Sequence, residues 1–202
     1  MSDDPDPLSW ETTGTAIDYR CPGFDVRRDD VRLPDGTETD YHYVDEPPAV
    51  VILPFDADGD VVVIEEWRQA VGRVNRGLPA GTTEPEDGDL RAAAHRELRE
   101  ETGYEAAEME PLTTVEPANG IANTVHHYFV ARGCEPTGEQ ELDFNESIRV
   151  GTTDYERLLA AVVSGENADD EGDRAEGGDG DANGVVDGRT AVGVMRYELT
   201  ER

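Results

Sequence analysis

The sequence predicts an α/β fold with a small antiparallel β-sheet ahead of its core, and three observations lead to this prediction. Two near-continuous apolar runs, 49–55 and 61–67, are typical of central strands that are buried on both faces. A segment with helical spacing, 89–102, begins at an N-cap residue and is followed by a glycine. Ahead of the core, residues 15–44 alternate weakly between apolar and polar side chains, as edge and surface strands do.

Residues 1–13 are predicted to be a flexible acidic N-terminus, and residues 14–46 a β-extension. The turn Pro34-Asp35-Gly36-Thr37 joins the last two strands as a hairpin. Charges lie along one side of the sheet, which fits packing against another body, so the extension is a candidate dimer element. The candidate strands are 15–20, 24–33 and 38–44.

The core domain is predicted to span 47–202, after the chain-breaking pair Pro47-Pro48. Between the first two core strands, residues 56–60 have the composition of a turn. A further strand in 71–81 leads into a turn before the helix at 89–102. The remaining predicted elements are strands at 112–115 and 124–132 and helices at 153–164 and 188–199.

Residues 166–187 are low in complexity, rich in Gly and Asp, and are predicted to be a disordered insertion. Within them, Asp179-x-Asp181-x-Asn183-Gly184 matches the opening of a calcium-binding loop. Thr190 stands where that loop needs a bidentate glutamate, so the match is weak. A calcium-responsive acidic protein is therefore kept only as an alternative.

Composition excludes several functions. The 202 residues carry a formal net charge of −30, from 47 acidic against 17 basic residues, and every basic residue is arginine. This excess opposes binding to nucleic acid or to an anionic membrane. Acid enrichment in every segment, with no lysine, is typical of proteins adapted to high intracellular salt, which screens self-repulsion. We therefore expect a halophilic source.

Cys21 and Cys134 provide no disulfide framework for a chain of this length and are expected to be buried thiols. No apolar run approaches the roughly 18 residues of a membrane span. The acidic N-terminus carries no signal-peptide pattern. These features predict a soluble, cytoplasmic protein.

The predicted helix at 89–102 places three carboxylates on one face, because residues three and four apart are neighbours there. These residues are Glu97, Glu100 and Glu101. The apolar stripe of the same helix consists of Leu90, Ala94 and Leu98. Glu101 falls inside this stripe and Glu97 at its border, where a carboxylate is costly unless a cation meets it. A hard divalent ion such as Mg²⁺ is the expected partner, and a solvated acidic face is the alternative.

The stretch Arg96-Glu97-Leu98-Arg99-Glu100-Glu101-Thr102-Gly103-Tyr104 resembles the Nudix box in its second half, REUxEExGU, where U is a large apolar residue. It follows Leu78-Pro79-Ala80-Gly81, where that family places a turn. The resemblance implies a Nudix-type α/β/α sandwich with a mixed sheet. It also implies hydrolysis of a nucleoside diphosphate linked to another group, with Mg²⁺ as cofactor and Mn²⁺ as the alternative ion.

By the same resemblance, the metal ligands are the three glutamates and the backbone carbonyl of Ala80. Arg96 lies one turn before Glu100, so an ion pair between them would fix the rotamer of a ligating carboxylate. An ordinary surface ion pair, worth under about 1 kcal/mol, is the alternative for Arg96.

The first half of the box departs from the family pattern. Arg96 lies one residue further from Gly81 than the pattern requires, and Gly88 replaces the first glutamate of the box. Glu86 and Asp87 are the candidates to supply the missing carboxylate. The departure leaves the expectations for the three helix glutamates unchanged.

Residues 61–72, followed by Leu-Pro-Ala-Gly, are similar to the ADP-ribose pyrophosphatase branch of the family, in which an N-terminal β-extension helps to build a dimer. The resemblance implies that Arg68 binds the substrate and that Gly120 lies in the loop lining its terminal ribose. It also makes Glu146 the candidate general base, acting on the attacking water. The alternatives are a strand-end salt bridge for Arg68, a plain turn at Gly120 and a solvated loop glutamate at position 146. Gly77 stands where many relatives carry glutamate, so a contact of that side chain is either missing or supplied elsewhere.

The function expected from these residues is Mg²⁺-dependent hydrolysis of ADP-ribose to AMP and ribose 5-phosphate, in a homodimer. One alternative is another nucleoside diphosphate-linked substrate, either a nucleotide sugar or a dinucleotide. The other is a sensor that binds ADP-ribose without hydrolysing it, which would have no need of all three glutamates.

Overall fold

The computed structural model describes residues 6–165 and 186–202. The calcium-loop match at 179–184, and the insertion up to residue 185, lie outside the described residues. The chain forms two compact units. The N-terminal unit comprises residues up to Pro48 together with Val115–His126, and the core unit comprises Ala49–Thr114 together with His127–Arg202.

The N-terminal unit is built on a three-stranded antiparallel sheet in the order β1-β2-β3. The predicted hairpin joins β2 to β3, closed by the Leu33 amide and the Thr37 carbonyl at 2.9 Å. The first strand begins earlier than expected, so residues 11–13 are strand rather than flexible chain. Glu11 is held there by Arg32 (Nη1–Oε2 2.6 Å), a cross-strand pair that local alternation does not reveal. The strands are β1 Glu11–Arg20, β2 Asp25–Arg32 and β3 Glu38–Asp45.

The returning segment of this unit, 115–126, pairs with the end of β3. The Val44 amide donates to the Ile121 carbonyl (2.8 Å), and the Tyr41 hydroxyl donates to the Gly120 carbonyl (2.6 Å). Trp10 packs edge-to-face on Tyr41 with ring centroids 6.0 Å apart, although half of its surface stays exposed. The segment is therefore fixed to the sheet by backbone and side-chain contacts.

The core unit contains a mixed seven-stranded sheet, whose path is β10-β5-β4-β9-β8, with β6 paired to β5 and β7 paired to β4. The central strands β4 and β5 are the two apolar runs; residues 49–55 and 61–64 are buried, as predicted, whereas Trp67 near the end of β5 is 47 % exposed. The strands are β4 Ala49–Asp56, β5 Val61–Arg68, β6 Arg73–Gly77, β7 Ala80–Thr82, β8 Tyr104–Val115, β9 His126–Pro136 and β10 Ile148–Thr153.

Within the described residues, the helices that cover this sheet are α1 Leu90–Thr102, α2 Tyr155–Ser164 and α3 Gly188–Thr200. Side chains alternate across a strand, so β4 contributes residues to the apolar packing on both faces of the sheet. Val50 and Ile52 pack with Leu98 of α1 in one apolar cluster. On the other side, Phe55 stacks against Tyr155 of α2 and Tyr197 of α3, with centroid distances of 5.7 and 5.1 Å. This arrangement is the expected α/β/α sandwich.

The caps of α1 are those predicted from the sequence. The Asp89 side chain accepts from the Ala92 amide, and Gly103 ends the helix in the left-handed region with φ 73°. Leu90, which was expected in the buried stripe, is 37 % exposed because it lies at the first helical position, before the helix meets the sheet.

Two strands were mispredicted. β8 begins directly after Gly103, eight residues earlier than expected, since as an edge strand it tolerates a proline and many glutamates. β10, which follows the loop that carries Glu146, was not predicted. It pairs antiparallel with β5, from Ile148 opposite Glu66 to Thr153 opposite Val61. Cys134 is buried as expected, whereas Cys21 is only half-buried. In the described ranges, no helix is long and apolar enough to cross a membrane.

Candidate active site

The carboxylates of α1 lie where the helix meets the turn before β7. Glu97 and Glu101 are buried, with only 8 % and 3 % of their surfaces exposed, and Glu100 is half-buried beside them. The helical register brings this about, since Leu98 and Ala94 on the same side anchor α1 in the core. Two acidic side chains therefore lie inside the protein.

Ala80 and Gly81, at the start of β7, receive these carboxylates; a turn was predicted there, but both residues pair with β4. The Ala80 amide donates to Glu101 Oε2 at 2.8 Å. A Cβ atom on Gly81 would lie 2.2 Å from the Glu97 carboxylate, so a side chain at this position would displace that carboxylate. The backbone contact to the helix glutamates is thus made by the Ala80 amide, and the role of the Ala80 carbonyl as a metal ligand stays a prediction.

Arg96 connects the other carboxylates. Its Nη1 donates to Glu97 Oε1 and to Glu100 Oε2, both at 2.9 Å, and its Nη2 donates to the Thr82 carbonyl at 2.9 Å. The side chain is only 17 % exposed, and its pKa is raised, first by the hydrogen bond to Asp87. This is not the ordinary surface ion pair weighed as the alternative.

Asp87, one of the two candidates for the carboxylate missing from the first half of the box, is the one that contacts Arg96. It binds Arg96 through two parallel hydrogen bonds, Nε–Oδ1 at 3.0 Å and Nη2–Oδ2 at 2.9 Å. The Glu84 amide also donates to Asp87 Oδ2 at 2.8 Å, which fixes the loop around it. Glu86, the other sequence candidate, is exposed. The extra residue in the loop therefore brings the side chain at position 87, rather than at 88, to Arg96.

Burial makes the α1 carboxylates poor anions in the metal-free protein. It raises the pKa of Glu97 to about 7 and that of Glu101 to about 8, and the hydrogen bonds from Arg96 and the Ala80 amide only partly oppose this. Neighbouring carboxylates, including Glu146, raise both values further. A bound cation would offset the free-energy cost of ionising these buried carboxylates.

Glu146 lies half-buried in the loop before β10. Its charge acts on Glu97, Glu101 and Glu66. Its Oε2 accepts from the Asp143 amide at 3.0 Å, and its own amide donates back to the Asp143 carbonyl at 3.0 Å. The loop thus holds Glu146 near the site in a closed turn.

Arg68, at the end of β5, is also part of this region. Its Nη2 lies 2.6 Å from Glu66 Oε2, so the salt bridge weighed as the alternative does exist. The pKa of Arg68 is nevertheless lowered, by burial first and by the nearby Arg189 second, while Glu101 opposes the shift. The sequence analysis assigned no role to Glu66, although it lies within the 61–72 stretch.

Gly77 lies against the start of α3. A Cβ atom there would meet Thr190 Oγ1 at 2.7 Å and Asp187 Oδ2 at 3.1 Å. The space beside this residue is therefore filled by a carboxylate from α3. Gly120 belongs to the N-terminal unit, where it accepts the hydrogen bond from Tyr41.

The donor set fits a hard divalent cation. Three carboxylates lie on one helical face beside the start of β7. Two of them are buried and therefore costly as free anions. All the donor atoms are oxygen, which is the ligand that such a cation prefers. In the described residues, no three His, Cys, Asp or Glu side chains already enclose a metal position. Arg96 and the Ala80 amide contact these carboxylates. Glu97, Glu100 and Glu101, with the Ala80 carbonyl, are the groups that would hold the ion.

Comparison with known families gives two matches. Residues 45–171 match the NUDIX domain, and residues 10–44 match the nucleoside diphosphate sugar hydrolase N-terminal domain. A solved structure described as an ADP compounds hydrolase superimposes with a TM-score of 0.75 at 18 % identity, over 97 % of this chain and 96 % of the other. That likeness concerns the fold.

Two of the individual relatives are named ADP-ribose pyrophosphatases. The chain is 32 % identical to an ADP-ribose pyrophosphatase of Bacillus subtilis strain 168, over 88 % of this chain and 86 % of the relative. It is 31 % identical to an ADP-ribose pyrophosphatase of Mycobacterium tuberculosis, over 61 % of this chain and 60 % of that protein. It is also 36 % identical to the methanol dehydrogenase activator of Bacillus methanolicus, over 52 % and 56 %. These matches agree with the buried glutamates of α1 and their contacts with β7. They show that the chain belongs to the Nudix family and is a Nudix hydrolase.

Proposed function

We propose that this Nudix hydrolase cleaves the diphosphate bond of ADP-ribose, giving AMP and ribose 5-phosphate, with Mg²⁺ as its cofactor and Mn²⁺ as the alternative ion. The main observation in support of the proposal is the pair of buried carboxylates, Glu97 and Glu101, which lie beside Ala80 and Gly81 at the start of β7. The choice of substrate is supported by similarity, over most of the chain, to a relative named ADP-ribose pyrophosphatase.

The chain's own residues would prepare the site as follows. Arg96, fixed by Asp87, holds Glu97 and Glu100 in one orientation, and the Ala80 amide holds Glu101. Oxygen ligands that are already oriented lose little freedom when an ion binds. The ion, when bound, would neutralise phosphate oxygens and lower the pKa of the attacking water.

Glu146 is the candidate base that would accept the proton of that water. A general base needs hydrogen-bond reach to the water, directly or through one further water. Its carboxylate already interacts electrostatically with Glu97 and Glu101, and its only hydrogen bond within the described residues is to the Asp143 amide. Arg68 would bind a phosphate oxygen with those guanidinium donors that do not face Glu66. Gly120 keeps its expected role beside the terminal ribose as part of this proposal.

A different nucleoside diphosphate substrate is the second candidate, favoured by the match of residues 10–44 to a nucleoside diphosphate sugar hydrolase domain. A panel of ADP-ribose, several nucleoside diphosphate sugars and diadenosine polyphosphates, with Mg²⁺ at molar KCl, separates the two. We expect the highest kcat/KM for ADP-ribose. Turnover of another compound with none of ADP-ribose would replace the substrate.

The same panel tests the sensor alternative. A sensor would bind ADP-ribose in a calorimeter and release no AMP over long incubation with Mg²⁺. Release of AMP at a rate proportional to enzyme concentration rules this alternative out.

Three further features belong to this proposal: a halophilic source, a homodimer that uses the β-extension and a cytoplasmic location. The charge of −30 without lysine supports the first. The charged three-stranded sheet of the N-terminal unit, with its exposed Trp10 and Tyr41, supports the second. The small-molecule substrate supports the third.

A further inference from the structure

Leu78 and Pro79 form the short connection between β6 and β7, directly before the residue whose amide contacts Glu101. Both side chains are fully buried. Neither residue belongs to a strand, so strand pairing does not fix this connection. The Ile52 amide of β4 donates to the Pro79 carbonyl at 3.0 Å. The position of Ala80 therefore depends also on what holds Leu78.

The first turn of α3 holds Leu78 through the hydroxyl of Thr190. The Leu78 amide donates to Thr190 Oγ1 at 3.1 Å. Thr190 is 2 % exposed, so bulk water cannot take the place of this hydroxyl. One turn further along α3, a Cβ atom on Gly193 would lie 2.9 Å from Leu78 Cδ1. The helix thus packs closely against both the backbone and the side chain of Leu78.

Asp187, the N-cap of α3, orients the Thr190 hydroxyl. Thr190 Oγ1 donates to Asp187 Oδ2 at 2.8 Å, and the Thr190 amide donates to the same oxygen at 3.0 Å. A hydroxyl has one hydrogen to donate and two lone pairs, so this donation leaves the lone pairs for the Leu78 amide. The charge of the carboxylate strengthens the bond. The pair also occupies the space beside Gly77, where a Cβ atom would lie 2.7 Å from Thr190 Oγ1.

A continuous path of contacts therefore joins α3 to a buried carboxylate of α1. It runs from Thr190 to the Leu78 amide, and across Pro79 to Ala80. The Ala80 amide donates to Glu101 Oε2 at 2.8 Å. A buried amide that loses its acceptor is costly, so Leu78 would be expected to move if the hydroxyl were removed. Such a movement would displace Ala80, because a single residue separates the two.

We propose that Thr190 is a positioning residue for the cation site, oriented by Asp187 and acting through Leu78 on Ala80. The inference rests on the proposed function, which makes Glu101 and the Ala80 carbonyl ligands of the ion. It goes further because it gives α3, which carries no proposed ligand, a part in metal binding. Residues that hold a metal ligand in place contribute about 10- to 100-fold to metal affinity.

The test is the Kd for Mn²⁺ alone, measured by electron paramagnetic resonance on the substrate-free protein at constant molar KCl. Thr190→Val keeps the shape of the side chain but loses the hydroxyl, and should raise this Kd by about 10-fold or more. Thr190→Ser keeps the hydroxyl and should recover most of the affinity. Asp187→Asn removes only the charge that orients the hydroxyl, and should raise the Kd by less than Thr190→Val does.

Tyr155→Phe is the matched control for weakened packing of α3. The Tyr155 hydroxyl donates to Glu198 Oε2 on α3 at 3.1 Å, so this variant also loses a hydroxyl contact to the helix, but not the one to Leu78. Its Kd for Mn²⁺ should equal that of the unmodified protein, even where its urea midpoint is lower. An equal rise in Kd for Tyr155→Phe and Thr190→Val would overturn the inference. If Thr190→Val does not fold, the comparison of Asp187→Asn with Tyr155→Phe decides in the same way.

The Mg²⁺ dependence of AMP release gives a second readout. Thr190→Val should need a higher Mg²⁺ concentration for half-maximal rate, and should approach the unmodified kcat at saturation because every proposed ligand is still present. A lower kcat with an unchanged Mg²⁺ dependence would contradict a role in positioning the cation site.

The results also separate this inference from the proposed function. If Thr190→Val weakens Mn²⁺ binding while the unmodified protein does not hydrolyse ADP-ribose, the substrate is wrong and the inference stands. If the protein hydrolyses ADP-ribose and Thr190→Val binds Mn²⁺ as tightly as Tyr155→Phe does, the inference is overturned and the substrate stands. Absence of any Mn²⁺ binding by the unmodified protein would overturn the inference as well.

Discussion

Arg96 and its four neighbouring carboxylates show how single residues determine the state of this site. Asp87 binds the guanidinium through a fork, and Glu97 and Glu100 share its Nη1. Glu84 lies further away, at 3.9 Å. A guanidinium surrounded in this way has little rotational freedom, so the orientation of two of the three glutamates depends on it.

Replacing Asp87 by Asn should loosen this arrangement without removing any proposed metal ligand. The amide keeps one acceptor but loses the charge that faces Arg96, so we expect a roughly 10-fold higher Mg²⁺ concentration for half-maximal activity. Mg²⁺ titrations of the hydrolysis rate check this. The exposed Glu86→Gln is the matched control, and equal Mg²⁺ dependence in both variants would contradict the role given to Asp87.

The buried glutamates also predict how the stability of the metal-free protein depends on pH. Their folded pKa values, about 7 for Glu97 and about 8 for Glu101, lie above the ordinary value of 4.5. The folded state therefore binds protons more tightly than the unfolded state, and its advantage is complete below about pH 4.5. It is lost as the pH rises through 7 to 8.

Urea unfolding in EDTA at constant KCl measures this effect. The quantity to compare is the free energy of unfolding of the unmodified protein minus that of the double variant Glu97→Gln/Glu101→Gln. This difference should fall by at least about 1 kcal/mol between pH 5 and pH 8.5. Mg²⁺ should remove the fall, since the ion stabilises the ionised carboxylates. A difference that rises with pH would contradict the burial argument.

At the scale of elements, the C-terminus of α1 is fixed by the segment that leads to Glu146. Gln140 Nε2 donates to the Glu101 carbonyl at 2.5 Å, and the Glu141 amide donates to the Glu100 carbonyl at 2.9 Å. These bonds satisfy carbonyls that a helix end leaves without partners. The helix that carries the proposed ligands and the loop that carries the candidate base are therefore directly connected.

Gly103 is the residue at which this connection is most sensitive. It has φ 73°, and a Cβ atom there would meet the Gly138 carbonyl oxygen at 2.5 Å. Gly103→Ala should lower the free energy of unfolding by about 2 kcal/mol or more, from the left-handed backbone together with the clash. Gly88→Ala is the control, since nothing lies within 4 Å of its Cβ position. Equal urea midpoints for the two variants would contradict the packing described here.

Elements with strong local signals could be predicted from the sequence, and those stabilised by distant partners could not. The apolar strands β4 and β5 and the caps at Asp89 and Gly103 are local patterns, and they were correct. The early start of β1 depends on Arg32, and β10 depends on the edge of β5, so neither has a signature of its own.

The same distinction applies to the site. Glu97, Glu100, Glu101 and Arg96 follow one another on a single helix, and helical geometry brings them together. Asp87 was one of two candidates, and only the path of the 82–89 loop decides between them. Thr190 lies more than 100 positions from Leu78, and only the packing of α3 brings the two into contact.

At the scale of the whole molecule, the charge of −30 is the dominant property. Self-repulsion of that size destabilises the compact state in dilute salt. Raising KCl from about 0.1 M to about 1 M shortens the Debye length from roughly 10 Å to roughly 3 Å. We expect the thermal midpoint to rise over this range, by more than it rises in an uncharged osmolyte of equal osmolality. Full stability at low ionic strength would contradict salt adaptation.

The central proposal is that this Nudix hydrolase cleaves ADP-ribose and that the buried carboxylates of α1 are required for the reaction. The most direct measurement is AMP release from ADP-ribose with saturating Mg²⁺, compared between Glu101→Gln and the exposed Glu105→Gln. We predict that Glu101→Gln lowers kcat by about 100-fold or more, since the loss of a metal-ligating carboxylate costs several kcal/mol of transition-state charge stabilisation. Glu105→Gln should act as the unmodified enzyme. Equal kcat in the two variants would contradict the account.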